Sequence, residues 1–295
     1  MSDYLVRATA AEGEILALAA RTTDLVQEAR NLHRTSPVAT AALGRVLTGA
    51  ALMAATLKDG HSLTLRVEGD GPLGSIVAVA RPGAVKGYVA EPQVDLPLKA
   101  RGKLDVGRAV GKGWLYVIKD LGLKEPYVGS VELVSGEIGE DLAYYFTASE
   151  QKPSAVGLGV MVEPDGRVGA AGGYLVQVLP EASQELAEAL EKNIKEAGAV
   201  SRLISQGATP EDILYLLLKG YSFKIHQRDP LKFTCDCSRE RLRNILLALG
   251  PEELKQLLAE QGGAEAKCAF CNRTYWFDRG EVAELLELSS SAEGG

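Results

Sequence analysis

All four cysteines of this 295-residue chain lie in its last quarter, as Cys235-Asp236-Cys237 and, thirty residues further on, Cys268-Ala269-Phe270-Cys271. No other feature constrains the fold as strongly, because residues 1–234 must build their core with no cysteine at all. Four cysteines are too few for a disulfide scaffold in a chain this long, and they are not spread through it. The distribution reads as one compact site in a reducing compartment. Two close pairs separated by a structured spacer suit a tetrahedral four-thiolate zinc site, with Cys235, Cys237, Cys268 and Cys271 as the metal ligands. Lys232, Arg239, Lys267 and Arg273 flank the pairs and could offset the double negative charge of four thiolates on Zn²⁺.

A purely structural zinc site more often uses C-x-x-C twice, so the C-x-C pair is informative. A disulfide across C-x-C closes a small, strained ring, and strained disulfides have the higher reduction potentials of labile, regulatory bonds. Zinc keeps thiols deprotonated, which leaves them open to oxidants. Two states are therefore available: four thiolates on zinc, or two local disulfides without it. Structural zinc supplies roughly 10–16 kcal/mol of apparent binding free energy in small domains. The segment 232–288 is such a domain, with helices expected at 239–249, 251–260 and 279–288, a hairpin around 268–277 and a frayed tail from Ser289 to Gly295. A core this small seldom holds alone, and net stabilities are only about 5–15 kcal/mol, so losing the metal should unfold it. Disulfides closing such tiny loops constrain the denatured chain too little to compensate.

The rest of the chain reads as an α+β protein. Residues 4–20 suggest a hairpin closed near Glu12-Gly13, Thr23-Asp24 offers a helix cap, and a second helix begins near Pro37 and runs to about Leu57. Strands are expected at 62–68, 75–80, 85–90, 114–119, 127–134, 155–163 and 172–179, with a helix at 138–149. Runs of strands with a few helices predict a mixed sheet with helices packed on it. From Pro180 the pattern becomes helical: Leu186, Leu190 and Ile194 fall on one face, and shorter helices follow at 200–205 and 210–219, the last capped by Thr209. The expected organisation is an N-terminal α+β core domain at 1–179, a helical middle segment at 180–231, and a C-terminal four-cysteine zinc domain at 232–295.

Several chemistries are disfavoured. Gly69-Asp70-Gly71-Pro72-Leu73-Gly74 spells a dinucleotide loop, but it leads into a strand rather than a helix, and Pro72 removes an amide donor. A tight strand connection is expected instead. His33, His61 and His226 neighbour no recognisable nucleophile, and nothing points to an enzyme. A nucleic-acid surface is disfavoured by the net charge of −7 and the 6% aromatic content. The alternative of a zinc-ribbon nucleic-acid binder fits poorly, since residues 232–295 hold 8 Lys plus Arg against 11 Asp plus Glu. A thiol oxidoreductase needs C-x-x-C opening a helix, whereas Cys271 runs into strand-like Thr274-Tyr275-Trp276-Phe277. The apolar stretch Val38–Leu57 carries Arg45 and several Gly and Thr, which favours a buried core helix over a membrane span. Met1-Ser2-Asp3-Tyr4 lacks the basic and apolar regions of an export signal, which points to the cytoplasm.

The pattern resembles the heat-shock protein 33 family, redox-regulated holdase chaperones also called 33 kDa chaperonins. The resemblance covers nearly the whole chain. It rests on the two cysteine motifs within Thr234–Arg241 and Cys268–Cys271, on Gly69–Gly74 and Gly87-Tyr88-Val89, and on the stretch from Val131 to Tyr145. It implies a reduced, inactive protein holding one zinc through all four cysteines. It implies that peroxide with unfolding conditions, or hypochlorous acid, forms the disulfides Cys235–Cys237 and Cys268–Cys271. The zinc is then lost, the C-terminal domain and adjoining linker unfold, and a homodimer holds unfolding client proteins without ATP. The folded switch domain could cover apolar surface, for which Leu214, Leu216, Leu217 and Leu218 are candidates.

Overall fold

The structure is a computed structural model that describes residues 2–99, 102–179 and 182–292. Its chain divides into two compact units, Met1–Thr234 and Cys235–Gly295.

The first unit opens with the expected hairpin. β1 (Tyr4–Ala10) and β2 (Ile15–Arg21) pair antiparallel around a 3-10 turn at Ala11–Gly13. With β8 (Ser154–Val162), β9 (Val168–Val178) and β10 (Phe223–Pro230) they form a five-stranded antiparallel sheet in the order β10-β1-β2-β9-β8. A second sheet has the order β11-β5-β4-β3-β6-β7. Its strands are β3 (Ser62–Gly69), β4 (Ser75–Arg81), β5 (Ala84–Val89), β6 (Gly113–Asp120), β7 (Tyr127–Glu132) and β11 (Lys232–Phe233). Only β11 runs parallel to its neighbour among the described strands of this sheet. The α+β class is as expected, and the anticipated sheet resolves into two.

Helix α2 (Pro37–Ala54) lies between the two sheets. Proline occupies its first turn, where no amide partner is needed, and the Ser36 hydroxyl accepts from the Ala39 amide at 3.3 Å. Its mean hydropathy of 1.3 would suit a membrane, but 89% of the helix is buried inside the fold, so it is the expected core helix. Gly44 and Gly49 make this possible: a β-carbon there would stand 2.7 Å from Val26 and 2.6 Å from Leu142. Around α2, Leu43, Val46 and Leu47 pack with Leu63, Leu65 and Ile76 of the second sheet and Leu18 and Leu175 of the first.

Helix α1 (Thr23–His33) departs from the expected capping. Neither Thr23 nor Asp24 caps it, and the flanking Thr22 makes no capping bond. The cap comes instead from Asp3, just ahead of β1, whose carboxylate accepts from the Leu25 amide at 2.7 Å and pairs with Arg21 at 2.7 Å. Burial pushes the Asp3 carboxyl up to about 6, against the pull of the Leu25 amide and Arg21. The short helix α3 (Val106–Val110) has no counterpart in the sequence reading. It explains the glycine-rich loop: the amides of Asp70, Gly71 and Leu73 donate to the carbonyls of Lys112, Val110 and Ala109 at 2.7, 2.9 and 3.1 Å. Those donors are committed within the protein, as a strand connection requires.

The next connection is governed by one carboxylate. Asp141, in the first turn of α4 (Gly139–Ala148), is 1% exposed and accepts from the amides of Val134, Ser135, Gly136 and Ile138 at 2.8–3.3 Å. Hydrogen bonds to a buried charge are worth more than neutral ones, and amides left unpaired cost free energy of their own. Asp141→Ala is expected to lower the unfolding free energy of the first unit by at least about 3 kcal/mol, read as a fall in urea midpoint at unchanged slope. A shift under about 1 kcal/mol would mean the loop satisfies these amides another way.

The helices expected after residue 180 are α5 (Gln184–Ala197), α6 (Val200–Ser205) and α7 (Pro210–Leu217); Pro180 and Glu181 themselves lie outside the described residues. Thr209 caps α7 as anticipated, its hydroxyl accepting from the Asp212 amide at 3.2 Å. These helices cover the other face of the five-stranded sheet. Leu186, Leu190, Ile204 and Ile213 pack there with Val6, Ala8, Ile15, Ala17, Ala19 and Val176. This corrects the assignment of candidate covered leucines. Leu214, Leu217 and Leu218 are core residues of the first unit itself, each at most 1% exposed, and only Leu216 reaches the surface. The sequence reading also missed β10, whose pairing with β1 joins residues 223–230 to the N-terminal hairpin.

Candidate metal centre

The second unit is small. It contains α8 (Arg239–Leu247), α9 (Pro251–Gln261), the hairpin β12 (Ala264–Lys267) and β13 (Thr274–Phe277), and α10 (Arg279–Ala292). The hairpin strands flank the second cysteine motif, which forms the turn. The segment from Ser289 to Ala292, expected to fray, continues α10, while 293–295 lie outside the described residues. The core consists of Leu242, Leu246, Leu254, Ala264, Ala266, Phe277, Val282 and Leu285, with Cys237 and Tyr275 packed at its margin.

Local backbone brings the cysteines into position. Ser238 caps α8, accepting from the Arg241 amide at 3.1 Å, so Cys235-Asp236-Cys237 lies immediately before a helix N-terminus. That end of a helix carries partial positive charge and favours thiolates. In the other motif, Asn272 adopts a left-handed backbone at φ 57°, the Asn272 amide donates to Cys268 O at 2.8 Å, and the Cys268 amide donates to Arg273 O at 2.9 Å. Both motifs present a backbone amide two residues on to a sulfur: Cys237 N–H to Cys235, and Arg273 N–H to Cys271.

All four sulfurs lie within 4.8 Å of one another and none is in a disulfide. Cys235 and Cys268 sulfurs are 3.7 Å apart, and those of Cys237 and Cys271 are 3.4 Å apart. A tetrahedron with metal–sulfur bonds of about 2.3 Å has edges of about 3.8 Å, so the cluster has the dimensions and donor set of a four-thiolate site able to hold a metal ion. The thiols are inequivalent. Burial, reinforced by the neighbouring thiols, pushes Cys235 up to about 12, and burial also raises Cys271. For Cys237 burial is outweighed by hydrogen bonds from Tyr275 and the other thiols, bringing it down to about 7.

Of the basic residues expected to offset the thiolate charge, Arg273 does face Cys237 and Cys271. Arg239 is engaged elsewhere: it donates to both Glu281 carboxylate oxygens at 2.6 and 2.7 Å and to the Trp276 carbonyl at 2.8 Å, and it covers the Phe277 ring. Lys267 is exposed on β12, and Lys232 belongs to β11 in the first unit. The three histidines belong to the first unit, and the ligand group found among the described residues consists of the four cysteines. His33 is buried against Gly87 O at 3.0 Å, His226 meets the Thr9 hydroxyl at 2.7 Å, and His61 is half-buried. Tyr275, whose hydroxyl is 3.5 Å from the Cys237 sulfur, was not anticipated. Strand alternation carried the signal, since it puts Tyr275 on the same face as the buried Phe277.

Comparison with known proteins agrees with this geometry. The model of the Hsp33 protein family matches residues 3–278. A 33 kDa chaperonin of Symbiobacterium thermophilum is 56% identical over 287 residues, covering 97% of each chain. One of Desulforamulus reducens is 53% identical over 288 residues, covering 97% of this chain and 98% of that one. The crystal structure of the 33 kDa chaperonin (heat shock protein 33 homolog) of Thermotoga maritima superposes with a TM-score of 0.92 at 42% identity, covering 99% of this chain and 100% of that chain. With a family match across most of its length and relatives more than half identical from end to end, the chain belongs to the Hsp33 family of stress chaperones.

Proposed function

We propose that this chaperone is an ATP-independent holdase whose activity is set by the redox state of Cys235, Cys237, Cys268 and Cys271. The observation that carries this reading is the gathering of four sulfurs, from motifs thirty residues apart, to within 4.8 Å of one another. Together they would hold one zinc ion, which when bound keeps the thiolates charged and ties the strand before α8 to the β12–β13 turn. In that reduced state the protein is inactive.

Oxidation changes what the sulfurs can do. A thiolate attacks a hydrogen peroxide oxygen, the S–O bond forms as O–O breaks, and the departing hydroxide takes a proton to become water. A second cysteine sulfur then displaces the oxygen, which leaves as a second water after protonation. Each disulfide thus consumes two thiolates, one peroxide and two protons. Cys235–Cys237 and Cys268–Cys271 are the pairings we propose. Once in these disulfides, the sulfurs no longer join the two motifs, and the small core loses its staple. We place the functional division at 1–179 for the core domain, 180–231 for the middle segment that loosens with the switch, and 232–295 for the switch. Unfolding yields apolar, adaptable segments that bind unfolding client proteins, and the oxidised form acts as a homodimer. It works in the cytoplasm, with neither nucleic acid nor membrane as partner and without enzymatic turnover.

The test is to warm the reduced, zinc-loaded protein with hydrogen peroxide. Zinc release, loss of four thiols and suppression of light scattering by an aggregating client should rise together. Full activity in the reduced, zinc-loaded form would sink the reading.

A further inference from the structure

One buried polar side chain fastens the middle helices to each other. Asn193 lies on the inner face of α5 with Leu186 and Leu190 and is 8% exposed. Its side-chain nitrogen donates to the carbonyl oxygens of Leu217 at 3.1 Å and Lys219 at 2.8 Å. Both partners are acceptors, so the NH₂ end of the amide faces them and both of its protons are used. Those oxygens lie at the end of α7, where helix carbonyls have no intrahelical donor. Just beyond, Gly220 takes a left-handed backbone at φ 93°, and the chain enters β10, which is paired with β1. Asn193 thus ties the first helix of the middle segment to its exit turn.

The apolar part of the α5 face does not define a unique seat. Leu186, Leu190 and Ile194 are spaced four apart. A slide of four residues, about 6 Å, puts Leu190 where Leu186 was and Ile194 where Leu190 was. In the same core, α7 contributes Ile213, Leu214 and Leu217, which are apolar and alike in size. Cores of this kind lose uniqueness before they lose stability. A buried amide behaves differently. Its bonds are met in one register, and in any other the amide or the carbonyls are left unpaired, which costs free energy. Fixing register is the best-attested use of a buried polar residue between helices.

We infer that Asn193 is a positioning residue that fixes the register in which α5 closes on α7, and so decides whether the chaperone returns fully to its inactive form once it is reduced. This rests on the proposed loosening of residues 180–231, because only a segment that opens has to close again. Two hydrogen bonds favour the native seat over the slid one by about ten- to hundredfold. Without them a share of the molecules closes one turn out of place, and part of the apolar face beneath α5 stays uncovered after the cluster has regained its metal.

The experiment takes the full-length protein through one cycle, warm hydrogen peroxide followed by dithiothreitol with Zn²⁺. Wild type, Asn193→Leu and Asn193→Ala are compared by zinc and thiol content, by light scattering of an aggregating client, and by hydrogen exchange of peptides within 184–219 read by mass spectrometry. Wild type should return to its inactive level with a single mass envelope. Each variant should regain zinc and four thiols, yet keep holdase activity about tenfold or more above reset wild type and show two mass envelopes. Freshly purified variants should show the same two envelopes, since the register is chosen at every closure. A single envelope with full return to the inactive level, even with faster exchange, would assign Asn193 to stability alone and overturn the inference. Variants that fail to regain zinc, or whose exchange rises equally across residues 2–179, would show Asn193 serving the whole fold and equally defeat it. A wild type that peroxide does not switch would sink the redox reading, and the envelopes of the variants would still decide the role of Asn193.

Discussion

Stripping the metal from the reduced protein with a chelator is expected to melt residues 235–292 and to spare residues 2–179. Among its described residues the second unit has a core of eight buried apolar side chains, four of them on α8 and α10. Cores of that size supply no more than a few kcal/mol. Structural zinc in a four-thiolate site is worth roughly 10–16 kcal/mol, so its loss exceeds what the remaining contacts can hold. Apart from packing, the Arg239–Glu281 pair links α8 to α10, but both partners are substantially exposed, and such pairs contribute at most about 1 kcal/mol. The first unit is built differently. Its five-stranded sheet is buried on both faces, by α2 on one side and by α5–α7 on the other. Hydrogen exchange read by mass spectrometry should show protection vanishing beyond Thr234 and persisting in residues 2–179. A second unit that stays protected without metal would overturn the assignment.

Replacing Cys268 by serine is expected to be the most damaging single change in the cluster. Cys268 is the buried member, 7% exposed, and its amide and carbonyl hold the turn that presents Cys271. A serine hydroxyl is not ionised near neutral pH and is a poor zinc ligand, so the site keeps three thiolates. Changing an outer-shell partner costs about 10- to 100-fold in metal affinity, and losing a direct ligand should cost at least about 100-fold. Competition titration against a chromophoric chelator measures this. The variant should also leave the second unit partly unfolded and the chaperone active before any oxidant is added. Unchanged affinity would remove Cys268 from the ligand set.

What the sequence disclosed follows the range of the interactions involved. The starts of α2 and α7 were readable because Pro37 and Thr209 act within the first turn of their own helices. The cysteine cluster was readable because its spacing carries the chemistry, whichever way the intervening helices pack. Features set by distant partners were not. β10 alternates only weakly, Phe223 and Ile225 against a polar run ending in Pro230, as an edge strand can, and its register comes from β1 over two hundred residues away. The cap of α1 was misassigned for the same reason, since Asp3 reaches it from outside the helix. At the cluster, Arg239 looked like a counter-charge by sequence proximity, yet the fold turns it toward Glu281. Tyr275 escaped notice because only hairpin closure brings it next to a residue thirty-eight positions earlier.

The long helix between the two sheets carries one further consequence. Pro37–Ala54 is apolar enough to pass for a membrane segment, and it is harmless only while both sheets enclose it. Were the first unit to open under heat or oxidant, that helix would make the chaperone as sticky as the damaged proteins it serves, a rescuer needing rescue. Confining every cysteine to the other unit keeps the oxidant's point of attack in the part that can come apart without freeing this segment.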